Sequence, residues 1–155
     1  MSESVIRSAQ AGEAEALTAL CVRSKAHWGY DDAFMRSSRT SLTVSDADIA
    51  SGRVLVATDG SGIVGVARVE PDGELGMMFV DPPAMGRGAG RALFDAAAAL
   101  ARRLGARSMP ILADPNAAPF YERMGARFVS HAPSDAIPGR RLPFYEYDLT
   151  PEETP

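Results

Sequence analysis

Apolar residues recur at helical spacing over residues 12–25, where Ala16, Leu17, Leu20, Cys21 and Ser24 fall on one face, so an amphipathic helix is expected after a short first strand at Val5-Ile6-Arg7. Residues 33–39 continue as a second helix, and Thr43-Val44-Ser45-Asp46-Ala47-Asp48 has the composition of a capped helical turn. The pattern then changes to extended runs. Residues 53–58 and 63–70 flank the turn Asp59-Gly60-Ser61-Gly62, and after Pro71-Asp72-Gly73 the run 74–80 completes an antiparallel meander. Helical spacing returns over 88–104, with Leu93, Phe94, Ala97, Leu100, Ala101 and Leu104 on one face and Gly105 as its stop. A strand at 108–113, a short helix ending at Gly125, a strand at 126–130, a Pro/Gly-rich loop at 131–142 and a last strand at 143–149 complete the chain. Strand, helix and strand alternate in this second half, which implies a parallel segment. The expected fold class is mixed α/β: a central, mostly antiparallel sheet of six to seven strands flanked by helices.

With 155 residues the chain suits a single domain over residues 1–150, followed by a disordered tail at 151–155. A hydrophobic content of 46%, 23% charged residues and a net charge of −4 describe a soluble globular protein and argue against nucleic acid as the main partner. The single cysteine, Cys21, excludes an internal disulfide and a cysteine metal cluster, and its apolar helical setting fits a buried packing thiol. No targeting segment or membrane-length apolar window is found, so a cytoplasmic protein without a membrane partner is expected.

The chemistry concentrates where the meander meets the long helix. Leu75 to Val80 is an unbroken apolar run stopped by Asp81-Pro82-Pro83, and the loop Met85-Gly86-Arg87-Gly88-Ala89-Gly90 then opens a helix. Backbone N–H groups at a helix start lack acceptors, and glycines let a ligand approach them, so with Arg87 and Arg91 the loop suits a phosphate or pyrophosphate. A glycine-rich turn without a ligand is the alternative. A P-loop would need Gly-Lys-Ser/Thr where Gly90-Arg91-Ala92 stands, and a dinucleotide fingerprint would need a glycine at Arg91 or Leu93.

The loop instead resembles the Q/R-x-x-G-x-G/A pattern of the GCN5-related N-acetyltransferases, through Arg87, Gly88 and Gly90, with Met85 standing where the family usually has Gln or Arg. A second segment, Asn116-Ala117-Ala118-Pro119-Phe120-Tyr121-Glu122-Arg123-Met124-Gly125, resembles the family's N-x-x-A-x-x-F-Y-x-x-x-G-F, varied at Pro119 and Ala126. The resemblance implies the acyl-CoA N-acyltransferase fold and acetyl-CoA as co-substrate without a metal. Residues 85 to 91 (Met85, Gly86, Arg87, Gly88, Ala89, Gly90 and Arg91) would hold the pyrophosphate. Phe79 and Val80 would pair with the pantetheine arm, and Asn116 and Tyr121 would lie beside it.

It further implies direct acetyl transfer to a primary amine in a ternary complex. Tyr121 is the expected proton donor to the departing thiolate, with a packing tyrosine as the alternative. Glu74 resembles the glutamate that histone-acetylating members use as a base through a water; it also reads as a solvated strand start. His27 is a competing base. Trp28, Tyr30 and Asp31, with His27, read either as one wall of a pocket for a cationic amine or as a helix junction in which Asp31 or Asp32 caps the next helix. Arg140, beside Arg141, reads as a specificity residue for a carboxylate or phosphate, or as a solvated loop. The acceptor is expected to be a small molecule. A protein N-terminal or lysine amine, a catalytically degenerate acyl-CoA-binding module, and an unrelated nucleotide-binding protein remain as alternatives. Family members dimerise through sheet edges or last strands, so a homodimer is an accompanying expectation.

Overall fold

The structure is a computed structural model that describes residues 4–134 and 136–150, so the tail expected at 151–155 lies outside the described residues. The strands are β1 (Val5–Ser8), β2 (Val54–Asp59), β3 (Gly62–Val69), β4 (Leu75–Val80), β5 (Ser108–Leu112), β6 (Arg127–Pro133) and β7 (Arg141–Asp148). The helices are α1 (Ala14–Ala26), α2 (Asp32–Ser38), α3 (Asp46–Ala50), α4 (Ala89–Arg103) and α5 (Ala118–Arg123). The strands form one seven-stranded sheet in the order β1-β2-β3-β4-β5-β7-β6. Every neighbouring pair is antiparallel except β4 and β5.

The two faces of this sheet carry separate cores. On one, Leu93, Phe94, Ala97 and Ala101 of α4 pack with Leu55, Val69, Met109 and Ile111. On the other, Leu17, Leu20 and Cys21 of α1 pack with Val54, Val56, Val66 and Met77. Alanines on the buried stripe of α4 leave room for a close approach to the strands. Two residues of the expected stripes fall outside: Ala16 is exposed, and Leu104 is the residue that closes α4 and is 41% exposed.

Two expectations about the second half change. β7 inserts between β5 and β6, so the parallel pairing is confined to β4 and β5. The loop expected over 131–142 is also shorter, because β6 runs on to Pro133 and β7 begins at Arg141. β6 is an edge strand, where a proline that cannot donate to a ladder is tolerated.

The feature that positions the site is a bulge in β4. Pairing with β3 passes from Val69↔Leu75 to Arg68↔Met77, which leaves Gly76 as an extra residue. A bulge bends its strand and sharpens the twist. Leu75, before the bulge, still pairs with Ile111 of β5, and no later residue of β4 does. β4 and β5 therefore splay apart towards their C-terminal ends, and a cleft opens between them.

Candidate active site in the splayed cleft

The cleft has a volume of about 680 Å³ and is lined by the far end of β4, the loop before α4, the chain after β5, the start of α5, the α1 to α2 region and the β6–β7 loop. Its β4 wall offers main-chain groups. The Asp81 N–H donates to the Val64 carbonyl at 2.8 Å, on the β3 side. Hydrogen bonding alternates along an antiparallel strand, so Phe79 and Met77 also face β3, and the main-chain groups of Met78 and Val80 face the gap. Both residues of the expected pair line the cleft, Val80 with its backbone presented to it, whereas the Phe79 backbone is turned to Val66 and its side chain packs towards the α1 face.

The loop before α4 is open on its ligand side. Gly88 begins the helix at φ +92° without a side-chain cap, and the first helical bond runs from Ala92 N–H to the Gly88 carbonyl. The N–H groups of Ala89, Gly90 and Arg91 precede that bond and have no intrahelical acceptor. A Cβ at Gly86 or Gly88 would meet nothing within 4 Å, whereas one at Gly90 would lie 3.2 Å from the Phe120 ring, so the first turn of α4 needs glycine there to sit against α5. Positive helix-terminal dipoles, open backbone and Arg91 suit an anion. Met85, Gly86, Gly88, Gly90 and Arg91 line the cleft. Two residues of the expected loop set do not. The Ala89 side chain is in the core, leaving only its amide, and Arg87 is exposed, where its charge acts on Asp59.

Tyr121 stands between the two walls. It is 5% exposed and its ring contacts Phe94, Phe120 and Tyr145. Its residue lines the cleft, and because no buried side-chain oxygen of the described residues is left without a partner, its hydroxyl, which makes no hydrogen bond to them, opens to the cleft. Burial, with the Asp114 charge adding to it, pushes the phenol well above its ordinary pKa. The hydroxyl is thus protonated throughout the neutral range. Glu74 is half-buried at the foot of β4 and also lines the cleft, its carbonyl accepting from the Glu70 N–H at 2.8 Å.

The remaining wall is a polar cluster in which Lys25, Asp114, Asn116 and Arg140 line the cleft and Tyr30 stands outside the lining; the sequence points to Tyr30, Asn116 and Arg140 but not to Lys25 and Asp114. Asp114, just past β5, accepts from the Lys25 ammonium at 2.5 Å and from the Tyr30 hydroxyl at 2.8 Å. Asn116 donates from its side chain to Asp114 at 2.9 Å and to the Tyr30 hydroxyl at 3.1 Å. Arg140 donates to the same hydroxyl at 2.8 Å. Tyr30 stacks on Phe34 with ring centroids 3.9 Å apart, and both Lys25 and Arg140 lie over these rings. Burial alone would raise the Asp114 carboxyl, but Lys25 and the Asn116 N–H outweigh it and hold the group below the usual carboxylate value. Burial and the bond to Asp114 raise the Tyr30 phenol. Lys25 and Asp114 lie 89 residues apart, so no local signal joins them in the sequence.

The other residues expected on this wall divide. Trp28, 43% exposed, lines the cleft. His27 is exposed, closes α1 and sits edge-on to Trp28, outside the cleft lining. Asp31 accepts from the Phe34 N–H at 2.8 Å and caps α2, so the helix-junction alternative holds for it, and neither Asp31 nor Asp32 lines the cleft. Cys21 is buried and burial pushes its thiol up to about 12, as expected of a packing cysteine. Among the described residues no helix is long and apolar enough to cross a membrane.

Comparison with known proteins bears on this geometry. Residues 50–125, from α3 through the cleft loop to Gly125, match the acetyltransferase (GNAT) domain family. No curated protein matches the sequence. Among solved structures, a GCN5-related N-acetyltransferase of Rhodopseudomonas palustris is 27% identical, with 95% of each chain covered and a TM-score of 0.76. The PaiA N-acetyltransferase of Thermoplasma acidophilum, in complex with coenzyme A, is 15% identical over 94% of this chain and 99% of its own, with a TM-score of 0.75. YncA of Salmonella typhimurium, solved with its cofactor acetyl-CoA, is 22% identical over 99% of this chain and 98% of its own, with a TM-score of 0.69.

Proposed function

The chain belongs to the GCN5-related N-acetyltransferase (GNAT) family, and from that premise we propose that it moves an acetyl group from acetyl-CoA to a primary amine of a small molecule, by direct transfer. The observation that carries the reading is Tyr121: a buried phenol without a protein hydrogen-bond partner among the described residues, in a cleft walled by unpaired β4 amides and the open start of α4.

The residues present fit the cofactor. The amides of Ala89, Gly90 and Arg91, with the Arg91 side chain, would hold the pyrophosphate, and the Val80 backbone would pair with the pantetheine arm. Met85 contributes no side-chain donor, so the grip on phosphate rests on the main chain. When bound, acetyl-CoA supplies an activated acetyl thioester. The Met78 or Val80 N–H is aimed into the gap where it can donate to a carbonyl oxygen as negative charge develops there. Glu74 takes the proton that the amine must lose for its nitrogen to form the new C–N bond, directly or through water. As the C–S bond breaks, Tyr121 donates a hydrogen bond to the sulfur. Its raised pKa keeps the proton on the phenol, so Tyr121 would stabilise the leaving thiolate, whose conjugate acid has a pKa of about 8.5, as a hydrogen-bond donor.

Thermal unfolding with millimolar acetyl-CoA, beside ATP and NADH, tests the cofactor. A ligand at about 100 times its dissociation constant adds about 2.7 kcal/mol, which corresponds to about 5–10 °C for a chain of this size. Thiol release with a panel of amines then tests transfer, and Tyr121→Phe is expected to lower turnover about a hundredfold or more. Stabilisation by acetyl-CoA without turnover on any amine would replace the enzyme by an acyl-CoA-binding module.

A further inference from the structure

Among the described residues, the acceptor end of the cleft brings together two cations, Lys25 and Arg140, and two carboxylates, Asp114 and Glu74. One carboxylate there, Asp114, is matched by Lys25 at 2.5 Å, and both side chains are 12% exposed, so that pair is neutral and closed. Arg140 is the second cation on the same wall, 3.7 Å from Asp114 and with a side chain 20% exposed. Its hydrogen bonding to the described residues consists of one bond, to the Tyr30 hydroxyl. Tyr30 and Phe34 lie 5.2 and 4.8 Å from its guanidinium carbon and hold the group by cation–π contact. A guanidinium has five N–H donors in a planar fork. One is used here, and the residue lines the cleft.

A half-buried guanidinium with spare donors in a cleft suits an anionic group on the ligand, and the fork matches the two oxygens of a carboxylate. The acids that had pointed to a cationic acceptor, Asp31 and Asp32, lie outside the cleft lining. Resting on the acetyl-transfer reading, we propose that the acceptor is a small amine that also carries a carboxylate, an amino acid in chemical class, with Arg140 binding the carboxylate. The acceptor nitrogen is then the one being acylated: its C–N bond forms as the thioester C–S bond breaks, and its proton leaves to Glu74. Lys25 is spent on Asp114, so it keeps Arg140 free to bind the ligand. A polyamine, which brings only positive charge, is disfavoured at this wall.

The test compares L-amino acids with their own carboxamides, and with spermidine, as acceptors for thiol release from acetyl-CoA. The amide has the more weakly basic amine and so more of it neutral, which opposes the expected preference. At least about a tenfold higher kcat/KM for some amino acid over its amide is expected, from one charge-assisted hydrogen-bond pair. In Arg140→Gln that ratio should collapse towards one, chiefly through KM for the acid, and Arg140→Lys should restore part of it because charge returns without the fork. Equal or better turnover of amides or spermidine, or a ratio unchanged in Arg140→Gln, overturns the assignment while leaving acetyl transfer intact. Calorimetric titration of the same amino acids into the coenzyme A-saturated protein reads the site without turnover. Binding that is lost in Arg140→Gln would uphold the carboxylate site even if transfer failed, and no binding together with no preference would overturn it.

Discussion

Replacing Asp114 by alanine removes the carboxylate on which the acceptor wall closes. Asp114 and Lys25 meet at 2.5 Å with side chains 12% exposed, and Arg140 stands 3.7 Å from the same oxygen. Removing one partner of a fully buried pair costs about 3–5 kcal/mol, because an uncompensated charge stays behind, whereas exposed pairs are worth at most about 1 kcal/mol. This pair is nearer the first limit. The rings of Tyr30 and Phe34, 5.3 and 5.7 Å from the Lys25 ammonium, return part of the loss. Asp114→Ala also leaves Lys25 and Arg140 as neighbouring like charges and strips the Tyr30 hydroxyl of its acceptor. The expected destabilisation is about 2–4 kcal/mol, or roughly 5–15 °C in Tm. Calorimetric unfolding of Asp114→Ala, Lys25→Met and the double variant measures it. The double variant should be less destabilised than the sum of the singles, since Lys25→Met removes the stranded charge, with a coupling of about 1–3 kcal/mol. A cost under about 1 kcal/mol, or additive singles, would refute the view that this pair is closed off from solvent.

Tyr121→Phe should change stability by less than about 1 kcal/mol, because the hydroxyl has no partner among the described residues and the ring contacts remain; unfolding curves separate this from its expected loss of turnover. Gly88→Ala forces a Cβ into φ +92° at the start of α4 and should cost about 1–2 kcal/mol, while the stabilisation gained from acetyl-CoA shrinks in the same thermal scans. Tyr145 donates to Glu122 at 2.6 Å, and burial with that bond raises its phenol to about 12. A group whose folded pKa is raised contributes stability that is complete below its unfolded value, about 10 for a phenol, and that is lost as pH climbs to about 12. Alkaline unfolding should therefore show a loss over that window that is smaller in Tyr145→Phe, the raised Tyr30, Tyr121 and Cys21 supplying the remainder.

The β2 to β4 meander and the opening of α4 are legible in the sequence because their signals are local: the turn Asp59 to Gly62, the stop at Asp81-Pro82-Pro83 and the glycines before a helix each act within a few residues. The cap at Asp31 belongs to the same class, and there the local reading prevails over the pocket reading. Strand order in the second half is different. Nothing in 126–149 says that β7 inserts between β5 and β6, since any of these short apolar strands satisfies the same alternation and the choice depends on which pairings cover α4 and α5 best.

The site divides along the same line. Residue type and short spacing mark the loop at 85–91 as suited to an anion, and the resemblance to the GCN5-related N-acetyltransferases is what points to Tyr121 and Glu74, whose roles are proposals. The bulge at Gly76, which parts β4 from β5 and turns the Met78 and Val80 main chain to the gap, is visible only in the folded sheet. The tertiary structure alone brought Lys25, Tyr30, Asp114 and Arg140 together from four separate segments. The physical reason is reach. Turn, cap and helix-start signals act over a few bonds, whereas the net charge of a cleft wall is a sum over side chains that become neighbours only when the sheet has closed.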